Sequence, residues 1–171
     1  MGALQRLARL LRHRWTDEGD LKRALPPEAL ARLEARVAAS ERRHSGEIRV
    51  CVEAGLPLSY LWRGLSARDR ALTLFGKLRV WDTEHNNGVL VYLLLADRAV
   101  ELVADRGLDR HVAPAQWQAL LAPMQAAFRA GRFEQGLQQA LDSLDALLVQ
   151  HHPLAPGQAN PDELPNRVDL R

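Results

Sequence analysis

The sequence predicts an α/β protein: a compact sandwich in which a central mixed β-sheet is flanked by helices on both faces. Three observations carry that prediction. Residues 86–107, NNGVLVYLLLADRAVELVADRG, read as two strands joined by a tight turn. The first of them is apolar almost without interruption from Gly88 to Ala96, as expected of a strand buried on both faces and covered by helices. The remaining candidate elements are amphipathic helices and one further alternating strand, arranged so that a crossover is needed between strands.

Taken in order, residues 1–15 place Leu4, Leu7, Leu10 and Leu11 on one helical face, with Arg6, Arg9, Arg12, His13 and Arg14 largely elsewhere. Because arginines alternate with leucines, no separate apolar core follows a basic region, which argues against a secretory signal. Arg6 also stands where a myristoylation signal needs Ser or Thr. The helix is expected to dock its leucine face on its own domain or on a partner, in preference to lying on anionic lipid as basic amphipathic helices can. Residues 16–25 read as a charged connector. Pro26-Pro27-Glu28 opens a helix to about 43 with Leu30, Leu33 and Val37 inward, since proline is tolerated in the first turn and Glu28 meets the positive end of the helix dipole. Ser45-Gly46 ends it. Glu47 to Glu53 alternates as a strand, with Ile48, Val50 and Val52 on one face and Arg49, Cys51 and Glu53 on the other.

Residues 54–65 read as an irregular crossing with one turn at 60–63. Ser66-Ala67-Arg68-Asp69 resembles a capping box and starts a helix carrying Ala71, Leu72, Leu74, Phe75 and Leu78. Strand, helix and strand in succession predict a right-handed parallel crossover. The two-residue turn at Asp97-Arg98, read as ordinary punctuation, makes the 99–104 strand antiparallel. Pro114 then begins a helix with Trp117, Leu120, Leu121, Met124 and Phe128 on one face and a kink expected at Pro123. Phe133, Leu137, Leu141, Leu144 and Leu148 mark a last long helix. The domain organisation is therefore a basic helix and connector over 1–25, an α/β domain over 26–150 and a proline-rich extended tail over 151–171.

Composition narrows the function classes. The apolar fraction of 47% and charged fraction of 26% are those of an ordinary globular protein, and a formal charge of +2 is too small to imply nucleic acid. The longest uncharged apolar run, residues 88–96, falls far short of the ~20 residues a membrane-spanning helix needs. A single cysteine, Cys51, excludes an internal disulfide and suits the cytoplasm; it sits mid-strand without a recognisable Cys/His signature, which argues against a catalytic thiol. There is no GxGxxG, Walker, HExxH, CxxC or GxSxG motif, so no nucleotide, haem or zinc is expected. His151-His152 reads as a partner for a helix C-terminus, and His85 and His111 stand isolated.

One constellation emerges from topology. The loop entering the central strand holds Asp82, Glu84, Asn86 and Asn87, and the segment leaving its antiparallel partner holds Asp105, Arg106 and Asp109. Antiparallel pairing puts both at one sheet edge, where hard oxygen ligands suit Ca2+ or Mg2+. The plain alternative is a polar loop with turn punctuation at Asn87-Gly88.

The same residues resemble the TPM domain family. Asn87-Gly88-Val89-Leu90 followed by Gly107-Leu108-Asp109 is similar to the family's Asn-Gly-Val-Leu strand and Gly-Leu-acidic segment. Residues 124–141, MQAAFRAGRFEQGLQQAL, resemble its Phe-Arg-x-Gly-x-Phe/Tyr-x-x-Gly-Leu helix junction, and SGEIRV at 45–50 its first strand. WDTEHNNGVL and the tail NPDELPNRV are similar to a short bacterial subgroup that lacks a membrane anchor. Here Asp109 stands where the family commonly has Glu, and Asp105-Arg106 precede the glycine. The resemblance implies an α/β sandwich and several functions: acid phosphatase activity in a thylakoid protein of photosystem II repair, divalent cation binding in bacterial relatives, and an accessory role beside a receptor channel. The favoured reading is a noncatalytic domain that contacts a protein partner, or a membrane peripherally through residues 1–15, with Ca2+ or Mg2+ at 82–88/105–109. The alternative is a metal-assisted acid phosphatase in which Arg106 clamps phosphoryl oxygens.

Overall fold

The computed structural model describes residues 3–171. Helices α1 (Ala3–Trp15), α2 (Glu18–Ala24) and α3 (Pro27–Glu41) lead into strand β1 (Glu47–Glu53). A short α4 (Leu58–Trp62) and then α5 (Ala67–Lys77) cross over to β2 (Gly88–Leu94), which turns into β3 (Ala99–Ala104). One turn, α6 (Arg106–Asp109), precedes the long α7 (Pro114–Arg129) and α8 (Phe133–His151), and the chain closes with β4 (Asp169–Leu170).

The sheet runs in the order β3-β2-β1-β4. β1 and β2 are parallel from Glu47↔Gly88 to Glu53↔Leu94, and β2 and β3 are antiparallel from Val89↔Ala104 to Leu94↔Ala99, so the sheet is mixed. Alternation along each strand feeds two cores. Ile48, Val50, Val52, Val89, Val91 and Leu93 face α3, α7 and α8, while Cys51, Leu90, Tyr92 and Leu94 face α5 and Leu56. Every residue of β2 is buried, as its continuous apolar run requires. α7 continues through Pro123 to Arg129, so the lost donor there does not end the helix. Gly88 is required by close approach, because a Cβ at this position would lie 1.9 Å from the Val80 carbonyl oxygen.

The α5 side also buries charge. Arg70 donates from Nε to Glu53 Oε2 at 2.9 Å and from Nη2 to Oε1 at 2.6 Å, and the Tyr92 hydroxyl donates to Glu53 Oε2 at 2.7 Å. The guanidinium lies 5.2 Å over the Tyr60 ring. Burial and the Glu53 charge push the Tyr92 phenol well above its ordinary range.

Three expectations are corrected. The connector over 16–25 folds: Asp17 and Asp20 form a reciprocal capping box for α2, and Leu21 and Leu25 enter the core. The tail over 151–171 adds an edge strand, β4, beside β1 through Cys51↔Asp169 and Val52↔Leu170, with Leu164 and Val168 buried. The basic helix docks on the domain with its cationic side. Asp97, at the hairpin turn, accepts from Arg9 Nη2 at 3.0 Å and Nε at 3.2 Å and also receives Arg12, so it is an anchor and not mere punctuation. The Leu56 N–H donates to His13 Nδ1, which leaves His13 Nε2 carrying the proton 3.1 Å from Asp97 Oδ1. Burial pushes the Asp97 carboxyl up, and His13 and Arg9 outweigh it and hold the group well below the usual carboxylate range. Leu4, Leu7, Leu11 and Trp15 are left exposed, beside Leu58 and Trp62 of the α4 that α1 touches.

Candidate functional site

At the edge where β2 begins and β3 ends, local geometry is set by backbone pairing. Asn86 takes a left-handed conformation, φ 52°, which asparagine tolerates better than most residues. That turn lets the Gly107 N–H donate to the Asn86 carbonyl at 2.7 Å, and the Asp105 N–H donates to Gly88 at 2.8 Å. Gly107 has no room for a side chain: a Cβ would sit 2.3 Å from the Asn86 carbonyl oxygen and 2.5 Å from that of His85. Asn86, Asn87, Asp105 and Arg106 are thereby brought to one edge.

The carboxylates of Asp82, Glu84, Asp105 and Asp109 do not converge there, and each residue makes its own contacts. Asp105 caps α6, accepting from the Arg106 N–H at 2.7 Å through Oδ1, and its Oδ2 is buried without a hydrogen-bond partner. Asn87 is fully buried; its Nδ2 donates to the Ser45 carbonyl at 2.8 Å, its N–H donates to Thr83 Oγ1 at 3.1 Å, and its Oδ1 is unpartnered. Arg106 Nε donates to Asn86 Oδ1 at 3.2 Å. Asp109 accepts from Trp117 Nε1 at 3.1 Å. Asp82 is exposed 3.9 Å from Arg79, and the Glu84 N–H donates to the Glu163 carboxylate at 3.1 Å.

Two features of this region escaped sequence reasoning. Histidines converge on it: His111 stacks on His151 with ring centroids 5.4 Å apart and meets His152 edge-on at 6.4 Å. Burial lowers the His152 pKa; the Gly107 backbone opposes this, and the nearby His111, His151 and His85 add to it. His152 Nε2 is buried without a partner, and the His152 carbonyl accepts from the Ser45 N–H, whose own carbonyl holds Asn87. Only the return of α8 to this edge assembles the group. The second feature is acidic. Among the described residues, one trio brings ligand atoms within 4.8 Å of one another: Glu41, Glu47 and Asp162, none of them a loop-edge carboxylate. Asp162 comes from the tail, so its contact with α3 and β1 had no local signal.

Cys51 is buried, and burial pushes its thiol up to about 12, which excludes it as a nucleophile near neutral pH. Among the described residues no helix is long and apolar enough to cross a membrane.

A mixed four-stranded sheet between helical layers, with a glycine-dependent loop edge at β2 and β3, defines a small α/β/α domain. The chain belongs to the TPM domain family, whose model matches residues 19–147. Among solved structures it is similar to the BA42 protein of the psychrophilic bacterium Bizionia argentinensis, with 26% identity and a TM-score of 0.75 over 86% of this chain and 95% of that one. It also resembles in fold the N-terminal domain of a P. gingivalis protein, with 21% identity and a TM-score of 0.60 over 77% of this chain and 82% of that one. No curated protein matches the chain. The family match begins inside α2, in keeping with the burial of Leu21 and Leu25.

Proposed function

We propose that this TPM domain is a noncatalytic accessory module that binds a protein partner and holds a divalent cation, Ca2+ or Mg2+, at the loop edge 82–88/105–109. The observation that carries the cation reading is the pair of buried, unpartnered oxygens there, Asn87 Oδ1 and Asp105 Oδ2. An orphaned buried oxygen costs about 1–3 kcal/mol, and a hard cation relieves it. Partner contact is supported by the exposed Leu4, Leu7, Leu11 and Trp15 of α1, since large apolar side chains left together on a surface mark contact sites. Peripheral contact with anionic lipid would use the same surface, and vesicle co-sedimentation separates it from protein binding.

The test is an NMR titration with Ca2+ and Mg2+. Amides of 82–88 and 105–109 shift in the wild type, and those of 105–109 stay still in Asp105→Asn, a substitution that keeps the cap because Asn serves that position as well as Asp. Amides unmoved at millimolar ion would refute the cation reading.

The acid phosphatase alternative has one favouring observation, the placement of Arg106 beside Asp105 with histidines at the same edge. There Arg106 would clamp phosphoryl oxygens and a bound cation would polarise the phosphate. Hydrolysis of an aryl phosphate that disappears in Arg106→Ala and Asp105→Asn, with both still folded, would favour it over the accessory role.

A further inference from the structure

We infer that the Glu41, Glu47 and Asp162 carboxylates form a second site for a hard divalent cation, with Ca2+ as its best fit, and that this ion staples the C-terminal tail to the α3–β1 junction. Each buried acid is anchored by one oxygen and bare at the other. Glu41 Oε1 accepts from the Ile48 N–H at 3.0 Å and Glu47 Oε2 from the Leu164 N–H at 3.1 Å. Glu41 Oε2 and Glu47 Oε1 are buried without a hydrogen-bond partner, on residues that are 3% and 0% exposed. One oxygen from each of these acids and one from Asp162 lie within 4.8 Å of one another. That span is about twice the ~2.4 Å bond of Ca2+ to oxygen, so the three can share one ion.

The tail is shaped to present its ligand. Asp162 adopts φ 54°, its N–H donates to Asn160 Oδ1 at 2.9 Å, and Asn166 Nδ2 donates to its carboxylate at 3.3 Å. Asn160 is itself fixed by donating to the His44 and Gly46 carbonyls at 3.0 and 3.1 Å. A cleft of about 460 Å3, lined by Glu41, Asn160, Asp162 and Asn166 and also by Arg42, leaves room for the waters that complete a shell of 6–8 oxygens.

The surroundings demand a positive charge. The groups facing the two glutamates are the Asp162 and Glu163 carboxylates, the Asn166 amide and the N–H groups of Ile48, Glu163 and Leu164. Among the described residues, no Lys or Arg is ion-paired to either. Two of the three neighbouring carboxylates, Glu41 and Glu47, are buried, and among the described residues no salt bridge neutralises them. A divalent cation removes that conflict. The site shares no ligand with the loop edge, but the Glu47 N–H donates to the Asn87 carbonyl and Glu163 accepts from the Glu84 N–H, so shifts at 105–109, not at 82–88, tell the two apart.

The full chain, stripped of metal, is titrated with CaCl2 and MgCl2 at pH 8 and followed by amide NMR and calorimetry. Amides of Ile48, Glu163 and Leu164 are expected to shift in the wild type and to remain still in Asp162→Asn, while shifts at 105–109 persist if the loop edge also binds. Ca2+ is expected to protect residues 153–171 from proteolysis in the wild type only. Glu47→Gln keeps an acceptor for Leu164 and should also abolish binding; should it misfold, the exposed Asp162 variant decides alone. The proposal is overturned if these amides are unmoved by about 10 mM of either ion, beyond the weakest protein Ca2+ sites, or if Asp162→Asn responds as the wild type does.

Discussion

Replacing Arg70 by methionine tests the buried ion pair beneath α5. Glu53 is 4% exposed and Arg70 7%, and the substitution removes both donors to the Glu53 carboxylate, leaving only the Tyr92 hydroxyl at 2.7 Å. Breaking a buried pair from one side costs about 3–5 kcal/mol, because the remaining charge is uncompensated. Loss of the Arg70 contact over Tyr60 adds roughly 0.5–1 kcal/mol. Neutralising the survivor should recover much of this. The double variant Arg70→Met/Glu53→Gln keeps an acceptor for Tyr92 and is expected to lie at least about 2 kcal/mol above Arg70→Met, a coupling within the range found for residues in one network. Urea denaturation at pH 7, with fluorescence and circular dichroism as paired probes, measures both values. A cost below about 1 kcal/mol for Arg70→Met, or no recovery in the double variant, would refute the claim that the charge matters more than the packing.

Three other perturbations have defined outcomes. Gly107→Ala drives a Cβ into two backbone carbonyls and should cost at least about 2 kcal/mol, whereas Gly76→Ala, in α5 with open space around it, should stabilise by roughly 0.5–1 kcal/mol; thermal melts compare them. Asp97→Ala leaves Arg9 without its acceptor and removes the carboxylate 3.1 Å from His13 Nε2, which costs about 1–3 kcal/mol and frees α1; mass spectrometry after brief trypsin treatment should find cuts within residues 9–14, and a protected helix would contradict the docking. His44 is buried, and burial holds its pKa down to about 4 despite the nearby Asp145. The unfolded chain therefore takes up the proton first, at its ordinary value of about 6.5, and His44 costs stability as pH falls from there to about 4, by up to roughly 3 kcal/mol. His44→Gln should show a flatter pH dependence over that interval, and an unchanged slope would reassign it.

The sheet was legible because its signals are local. The apolar run from Gly88, the alternation in Glu47 to Glu53 and the capping box at Ser66 each settle the state of their own segment, and short connections leave few topologies to choose among. The loop edge was legible for the same reason, since antiparallel pairing obliges residues 86–87 and 105–107 to meet. What could not be read was which charged side chains would find one another. Asp97 looked like turn punctuation until α1 was seen to lie across it, and Leu4, Leu7 and Leu11 of the expected docking face are exposed because the helix engages the part-buried Asp97 through its arginines.

The sequence by itself determined the class of fold, the directions of the three main strands and the family, because periodicity and turn chemistry act over a few residues and short connections constrain the rest. Tertiary structure alone decided where charge is concentrated. Glu53 with Arg70 and Tyr92, Asp97 with Arg9 and His13, and Glu41 and Glu47 with Asp162 join residues 17 to more than 100 positions apart. Burial makes each of those meetings strong, since a carboxylate taken out of water must be answered by whatever the folded chain carries to it.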